Sequence, residues 1–455
     1  MKKLFKVGAL SICVAMSLTL AACGGGGGKS LDRGKTETTK PEIKNKYFVG
    51  ERPYKFDAVP SASKATVVDY KMGNVQGKQI TTSAVVLFPE QAAPEGGYRI
   101  VVWQHGTLGN ADACAPTNSG LTARYVPLLS ALLAEGYVVV APDYEGSGSE
   151  GIHPYLHIKS QAISSINAVK AAQEHYKNLS TDWMTIGQSQ GGQASLGTAE
   201  YIESTSKDPN YKGAVAGAPA NSLKEIILDI APAMLAEYEQ TEKQYNLPIS
   251  YRQENGTIGA LGTLLAYNAL YVTGLKASYP DFDYSDIFDN PSTYDIVRMA
   301  EGTTGDNGIC LSNGYTDSNG KDVGLSQLFA ADIAKFLTDN PDASVLDYPR
   351  NNRAAFDANT ILQESFKDGE LKAMKLSVPV MVIQGTADTS VPYPMTERLV
   401  GLYEAAKTNI TFIPSKDSTH SEAIMKEKGF AVDFIKTHMP TGYPVEVPAP
   451  SDDDN

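Results

Sequence analysis

A serine with a glycine two places to either side, Gly187-Gln188-Ser189-Gln190-Gly191, lies between the β-rich run Trp183 to Ile186 and a helical stretch opening at Gly192. No other segment of the chain has this spacing. On a sharp strand-to-helix turn such a Ser is lifted clear of the sheet, and small residues on both sides let the neighbouring backbones pass. The turn also aims the first N–H groups of the helix at negative charge developing beside the hydroxyl. A Ser hydroxyl is a poor nucleophile near neutral pH, so it needs a base and a third group to orient that base.

After a turn of this kind the orienting acid and then the histidine are expected further along the chain. The run Val378 to Ile383 leads into Gln384-Gly385-Thr386-Ala387-Asp388, which places the Asp388 carboxylate just past a strand's carboxyl end. Asp388 is the candidate acid, the alternative being a cap on the helix that follows. Of six histidines only His420 and His438 come later. His420 lies in the polar loop Lys416-Asp417-Ser418-Thr419-His420 and is the candidate base. His438 falls at the end of the last helix, where an imidazole commonly satisfies terminal carbonyls. A hole for the developing oxyanion needs two backbone N–H groups, expected from Gln190 and, in Trp103-Gln104-His105-Gly106-Thr107, from Thr107. His105 reads as a side chain that holds this loop, and Asp143 as structural. His153 and His157 share a helix-like spacing, but Pro154 interrupts it, no Glu follows His153 and no third ligand is suggested, so no metal site is expected.

The elements that must position these groups alternate. Strands are predicted over Ala65 to Tyr70, Thr82 to Phe88, Ile100 to Gln104, Tyr137 to Pro142, Trp183 to Gly187, Gly213 to Ala216, Val378 to Gln384 and Ile410 to Ile413. Helices are predicted over Arg124 to Ala134, Ile158 to Tyr176, Gly192 to Ile202, Met395 to Ala406 and Glu422 to Thr437. Such alternation builds a mostly parallel central sheet flanked by helices. Between residues 221 and 366 strand signals vanish, and the block reads as a helical cap inserted over the sheet's carboxyl edge or as a separate helical domain. Its stretch Ile258 to Val272 is apolar enough to face a core or a greasy ligand. The α/β core then comprises residues 53–220 and 367–440.

The ends of the chain carry different information. Lys2 and Lys3 precede an apolar run through Leu20, and Ala21-Ala22-Cys23 follows, the arrangement of an export signal spanning residues 1–22. It resembles a bacterial lipoprotein signal, which implies cleavage before Cys23, acylation of that residue and an anchor in the membrane, with the outer membrane as the expected site; the alternative is an ordinary signal peptide cut near Ala22. Residues 23–52 read as a flexible tether beginning with Gly24 to Gly28, and residues 441–455 as a disordered acidic tail. With Cys13 in the signal and Cys23 acylated, Cys114 and Cys310 remain. In an oxidising compartment they are expected to pair, the alternative being two free thiols. The formal charge of -13 gives a surface that repels nucleic acid and anionic membrane, so no nucleic-acid partner is expected.

Longer phrases match more than a fold. Val102-Trp103-Gln104-His105-Gly106-Thr107, Ala113-Cys114-Ala115-Pro116, Val140-Ala141-Pro142-Asp143-Tyr144-Glu145-Gly146, His153-Pro154-Tyr155-Leu156 and Gly187-Gln188-Ser189-Gln190-Gly191-Gly192 together resemble the fungal and bacterial secretory-lipase family. The resemblance is densest from Val101 to Gly197 and returns at Asp388 and His420. It implies an α/β-hydrolase fold with a helical cap, hydrolysis of acylglycerols or simpler esters through a serine triad, and no cofactor. Members often carry His where this chain has Gln188. The cap matches only in position and length, so esterase is the safer expectation than lipase. Competing readings are a peptidase of the same fold and a catalytically silent binding protein.

Overall fold

Val138–Pro142 and Val380–Gly385 are buried at every position, the pattern of strands covered by helices on both faces. They belong to a nine-stranded sheet in a computed structural model that describes residues 45–443 except 58, 206, 289–290, 302–307 and 351. Its strands are β1 (Phe48–Pro53), β2 (Ala62–Gly73), β3 (Gln79–Pro89), β4 (Tyr98–Gln104), β5 (Val138–Pro142), β6 (Leu179–Gln188), β7 (Tyr211–Gly217), β8 (Val380–Gly385) and β9 (Ile410–Ser415). They lie in the order β1-β2-β3-β5-β4-β6-β7-β8-β9. β1, β2 and β3 form an antiparallel meander joined to β5, and all pairs from β5 to β9 are parallel. The α/β-hydrolase arrangement expected from the sequence is therefore present.

Helices cover both faces. Ile158–His175, Gln190–Thr205 and Tyr393–Ala405 place Val169, Leu196 and Tyr403 in one apolar cluster, and Val126–Ala134 and Lys428–His438 place Leu128, Leu132 and Ile435 in the other. Between β7 and β8 the regular elements among the described residues are helices, apart from one short ribbon of two two-residue strands, Tyr315–Thr316 and Asp322–Val323. This block has its own core around Leu261, Leu265, Phe329, Ile333 and Phe356, which takes in Tyr155 and Leu156 of the sheet domain. The helices Thr257–Gly274 and Leu325–Asp339 cross closely at Gly262, where a Cβ would lie 2.7 Å from the Ser326 carbonyl oxygen. Thr257–Ala277 is long and apolar enough to cross a membrane, yet most of it is buried within the block.

Three boundaries differ from the sequence reading. The tether expected through residue 52 gives way to β1 from Phe48, because Phe48, Gly50 and Arg52 turn inward against β2 while Val49 and Glu51 face out. The tail expected to be disordered from 441 is placed through Tyr443, whose ring packs on Gly136 and whose hydroxyl donates to the Ala92 carbonyl at 2.8 Å. The last helix is split at Glu427 into Ala423–Lys426 and Lys428–His438, with the Glu427 carboxylate accepting from the Ser415 hydroxyl. The signal, Cys23, most of the tether and the end of the tail lie outside the described residues.

Candidate active site

β6 runs into the helix Gln190–Thr205 through Ser189, which has φ of 59°, a left-handed conformation that a side chain adopts only under constraint. The constraint is visible in its neighbours. A Cβ at Gly191 would lie 1.8 Å from the Gln104 carbonyl oxygen, and one at Gly187 would lie 2.2 Å from that of Gly191. The Ser189 N–H donates to Gly217 on β7 at 2.8 Å, and its carbonyl accepts from Gln193 at 2.9 Å. The turn is thus wedged between the carboxyl ends of β4 and β7.

The loops after β8 and β9 are stitched to each other. Ala387 N–H donates to the Ser418 carbonyl at 3.0 Å, and a Cβ at Gly385 would sit 2.2 Å from that same oxygen, so only glycine permits the approach. Asp388 is buried. One of its carboxyl oxygens accepts from the N–H groups of Ser390 and Val391 at 2.8 and 2.9 Å. The other accepts from Gln384 Nε2 at 2.8 Å and lies 2.7 Å from His420 Nδ1. A carboxylate so placed fixes the proton on Nδ1 and leaves Nε2 to accept. Nε2 lies 2.8 Å from Ser189 Oγ. The structure therefore joins Asp388, His420 and Ser189 in one hydrogen-bonded line, although they are 199 and 32 residues apart in sequence.

Gln188 holds His420 from the other side. Its amide oxygen accepts from the buried Tyr125 hydroxyl at 2.8 Å, and its amide nitrogen donates to the His420 carbonyl at 3.0 Å. Nothing in the pentapeptide signals this role, because the position before the nucleophile has no fixed duty in the motif. The Gln384 clamp on Asp388 was equally unread, though Gln384 stands on the strand that delivers the acid.

Of the two residues expected to supply oxyanion donors, Gln190 follows Ser189 directly and Thr107 follows Gly106. Gln190 opens its helix, so its N–H has no partner within that helix. The loop bearing Thr107 comes close enough that a Cβ at Gly106 would lie 3.7 Å from Ser189 Cβ. Thr107 Oγ1 and the Tyr155 hydroxyl are hydrogen-bonded at 2.7 Å. Further on, Cys114 is bonded to Cys310 of the cap, Asn110 donates to the Leu270 carbonyl at 2.8 Å, and Leu311 N–H donates to the Leu108 carbonyl. This loop is therefore anchored to the cap by a covalent link and by hydrogen bonds.

Other singled-out residues have structural partners. His105 Nδ1 lies 2.7 Å from the Gly106 carbonyl, and the ring packs on Tyr144. His153 Nδ1 lies 2.8 Å from the Glu145 carbonyl, and its Nε2 lies 3.0 Å from Gln190 Nε2. Burial lowers both imidazoles to about 4, so both are neutral near pH 7. A neutral His153 then donates to Glu145 and accepts from Gln190. Burial raises the Asp143 carboxyl to about 7 despite bonds from Thr117. His157 caps the helix Ile158–His175, and His438 packs on Phe434. Among the described residues no group of three His, Cys, Asp or Glu side chains is disposed to hold a metal ion.

A small cavity of about 50 Å³ opens on Ser189 and His420, with Leu156, Ile226, Tyr267 and Val391 in its wall. A strained serine turn, an acid after β8 and a histidine after β9 define a protein of the α/β-hydrolase class. Solved structures share the fold. Candida antarctica lipase A in its closed state superposes with a TM-score of 0.59 over 87% of this chain and 82% of its own, at 18% identity. The rice cell wall degrading esterase LipA from Xanthomonas oryzae does so with 0.59 over 86% and 96%, at 19% identity. The sequence model of the secretory lipase family matches residues 115–238, so the family resemblance read from the motifs is borne out. A protein of Mycobacterium tuberculosis described as a probable inactive lipase is 23% identical over 371 residues, 80% of this chain and 70% of its own.

Proposed function

We propose that this chain is an exported serine carboxylesterase that cleaves carboxylic esters by two-step acyl transfer. Ser189 Oγ attacks the ester carbonyl carbon while His420 Nε2 takes the hydroxyl proton. The resulting oxyanion is held by the N–H groups of Gln190 and Thr107. As the bond to the alcohol oxygen breaks, His420 returns the proton to it, and the acyl group stays on Ser189. Water then gives a proton to His420 and attacks the acyl carbon. The acid leaves, and Ser189 regains its proton. Asp388 holds the correct imidazole tautomer and stabilises the imidazolium that forms twice per cycle. No cofactor takes part.

The observation that carries the reading is the line from Asp388 through His420 to Ser189, with contacts of 2.7 and 2.8 Å. The secretory-lipase match and the esterase and lipase folds of the neighbours support the ester as the bond attacked. Export on a lipoprotein signal, an anchor at Cys23 and an oxidised Cys114–Cys310 pair form one consistent setting at the cell envelope. Ester or lipid is the expected partner and nucleic acid is not. The relative described as a probable inactive lipase favours a second reading, a silent hydrolase fold. Hydrolysis of nitrophenyl butyrate decides between them: Ser189→Ala is expected to lose activity on the order of a million-fold. An unreactive wild type, or a Ser189→Ala protein as active as the wild type, overturns the esterase reading.

A further inference from the structure

Leu264 and Tyr267 lie one turn apart on the cap helix Thr257–Gly274. Both are only partly buried, whereas most of that helix is packed inside the cap. Their exposed sides face two separate spaces. On one side is the 50 Å³ cavity at Ser189 and His420. Since a water needs about 10–15 Å³ by the same measure, it has room for about four water-sized groups. On the other side is a cavity of about 710 Å³ lined by the cap, with Thr241, Tyr251 and Glu254 in its wall. That size is within the range of about 300–1,000 Å³ that holds whole small-molecule ligands. Leu264, Tyr267 and Ser390 line both cavities. Ser390, two residues from Asp388, lies beside Tyr267 in the wall of both cavities.

Tyr267 and Leu264, which line both cavities, thus stand between the reacting serine and a space many times larger. We infer that Tyr267, with Leu264, is a partition that restricts the enzyme to esters of short acyl groups, about the size of butyryl, and that its removal opens the cap cavity to long acyl chains. The inference rests on the esterase reading of the site. A short chain fills the small cavity and meets apolar Leu156, Ile226 and Val391. A longer one runs into the Tyr267 ring before its carbonyl reaches Ser189. Without the ring the two cavities become continuous, and the chain gains a path that buries it.

The test is the specificity constant for nitrophenyl acetate, butyrate, octanoate and laurate with the full-length protein. The wild type is expected to favour butyrate over laurate. Tyr267→Ala is expected to raise the laurate-to-butyrate ratio about tenfold or more, and Leu264→Ala to raise it less. Tyr267→Phe keeps the ring and removes only the hydroxyl, so its ratio is expected to stay with the wild type. Covalent labelling by a fluorophosphonate reports independently whether each variant retains a competent site. If variants that are labelled and still cleave butyrate keep the wild-type ratio, or if the wild type already prefers laurate, the partition is refuted and the esterase reading stands. If no form is labelled or cleaves any ester, both fall together.

Discussion

Replacing Gln188 by Met keeps the length and most of the volume of the side chain and removes both of its hydrogen bonds. One of these is to the Tyr125 hydroxyl and the other to the His420 carbonyl. Each is worth about 1 kcal/mol net, so about 2 kcal/mol of restraint on the loop bearing the base disappears. If that restraint holds His420 in line with Ser189, the barrier rises by a similar amount, or about thirtyfold in kcat. KM should change little, because neither bond reaches the small cavity. Gln188→His retains a donor and an acceptor and is expected to recover part of the loss. Steady-state hydrolysis of nitrophenyl butyrate at several concentrations separates kcat from KM. A Gln188→Met enzyme with unchanged kcat, or one impaired only in KM, would refute the positioning argument.

Two further predictions concern stability. Cys114 and Cys310 close a loop of 196 residues, for which the chain-entropy account gives about 5 kcal/mol, less any native strain. Denaturation of the double Cys→Ser protein should show a loss of a few kcal/mol that reductant reproduces in the wild type and leaves unchanged in the variant; equal stability of the two proteins would contradict it. The second concerns acid. His105 and His153 sit at about 4 in the fold against an ordinary 6.5, so their contribution is present above pH 6.5 and is lost as pH falls towards 4. Asp143, raised to about 7, acts oppositely, its contribution being complete below about 3.8 and lost as pH rises through 7. Between pH 4 and 6.5 the unfolded chain therefore binds about one more proton than the folded one through these three groups. His153→Gln removes that excess and should flatten the stability profile by about 1.4 kcal/mol per pH unit, measured by denaturant titration across the window. An unaltered slope would refute it.

The reacting groups were legible because their positions are tied to strand ends. Ser189 needs glycines on both sides and a strand before it, Asp388 ends a run of buried Val and Ile, and His420 precedes the last helix. These are local signals. The groups that hold them in line act across the fold and leave no local trace. Gln188 reaches the carbonyl of His420, 232 residues away, and Gly385 is required by the backbone of Ser418. β1 escaped the sequence reading for a related reason. Its inward residues are Phe48, Gly50 and Arg52, so the apolar alternation that marks a half-buried strand is missing, and pairing with β2 supplies what the pattern lacks. In the cap, apolar residues all round Ile258 to Val272 foretold burial but not which of them would face the site. The fold places Leu264 and Tyr267 in the wall of the cavity at Ser189.

Whether Ser189 is a nucleophile made reactive by His420 is decided by mass spectrometry of the intact protein after treatment with a fluorophosphonate. One adduct per chain is expected, mapped by proteolysis to the peptide containing Ser189, absent from Ser189→Ala and greatly slowed in His420→Ala. A folded wild-type protein that stays unlabelled, or an adduct on another residue, would contradict that role.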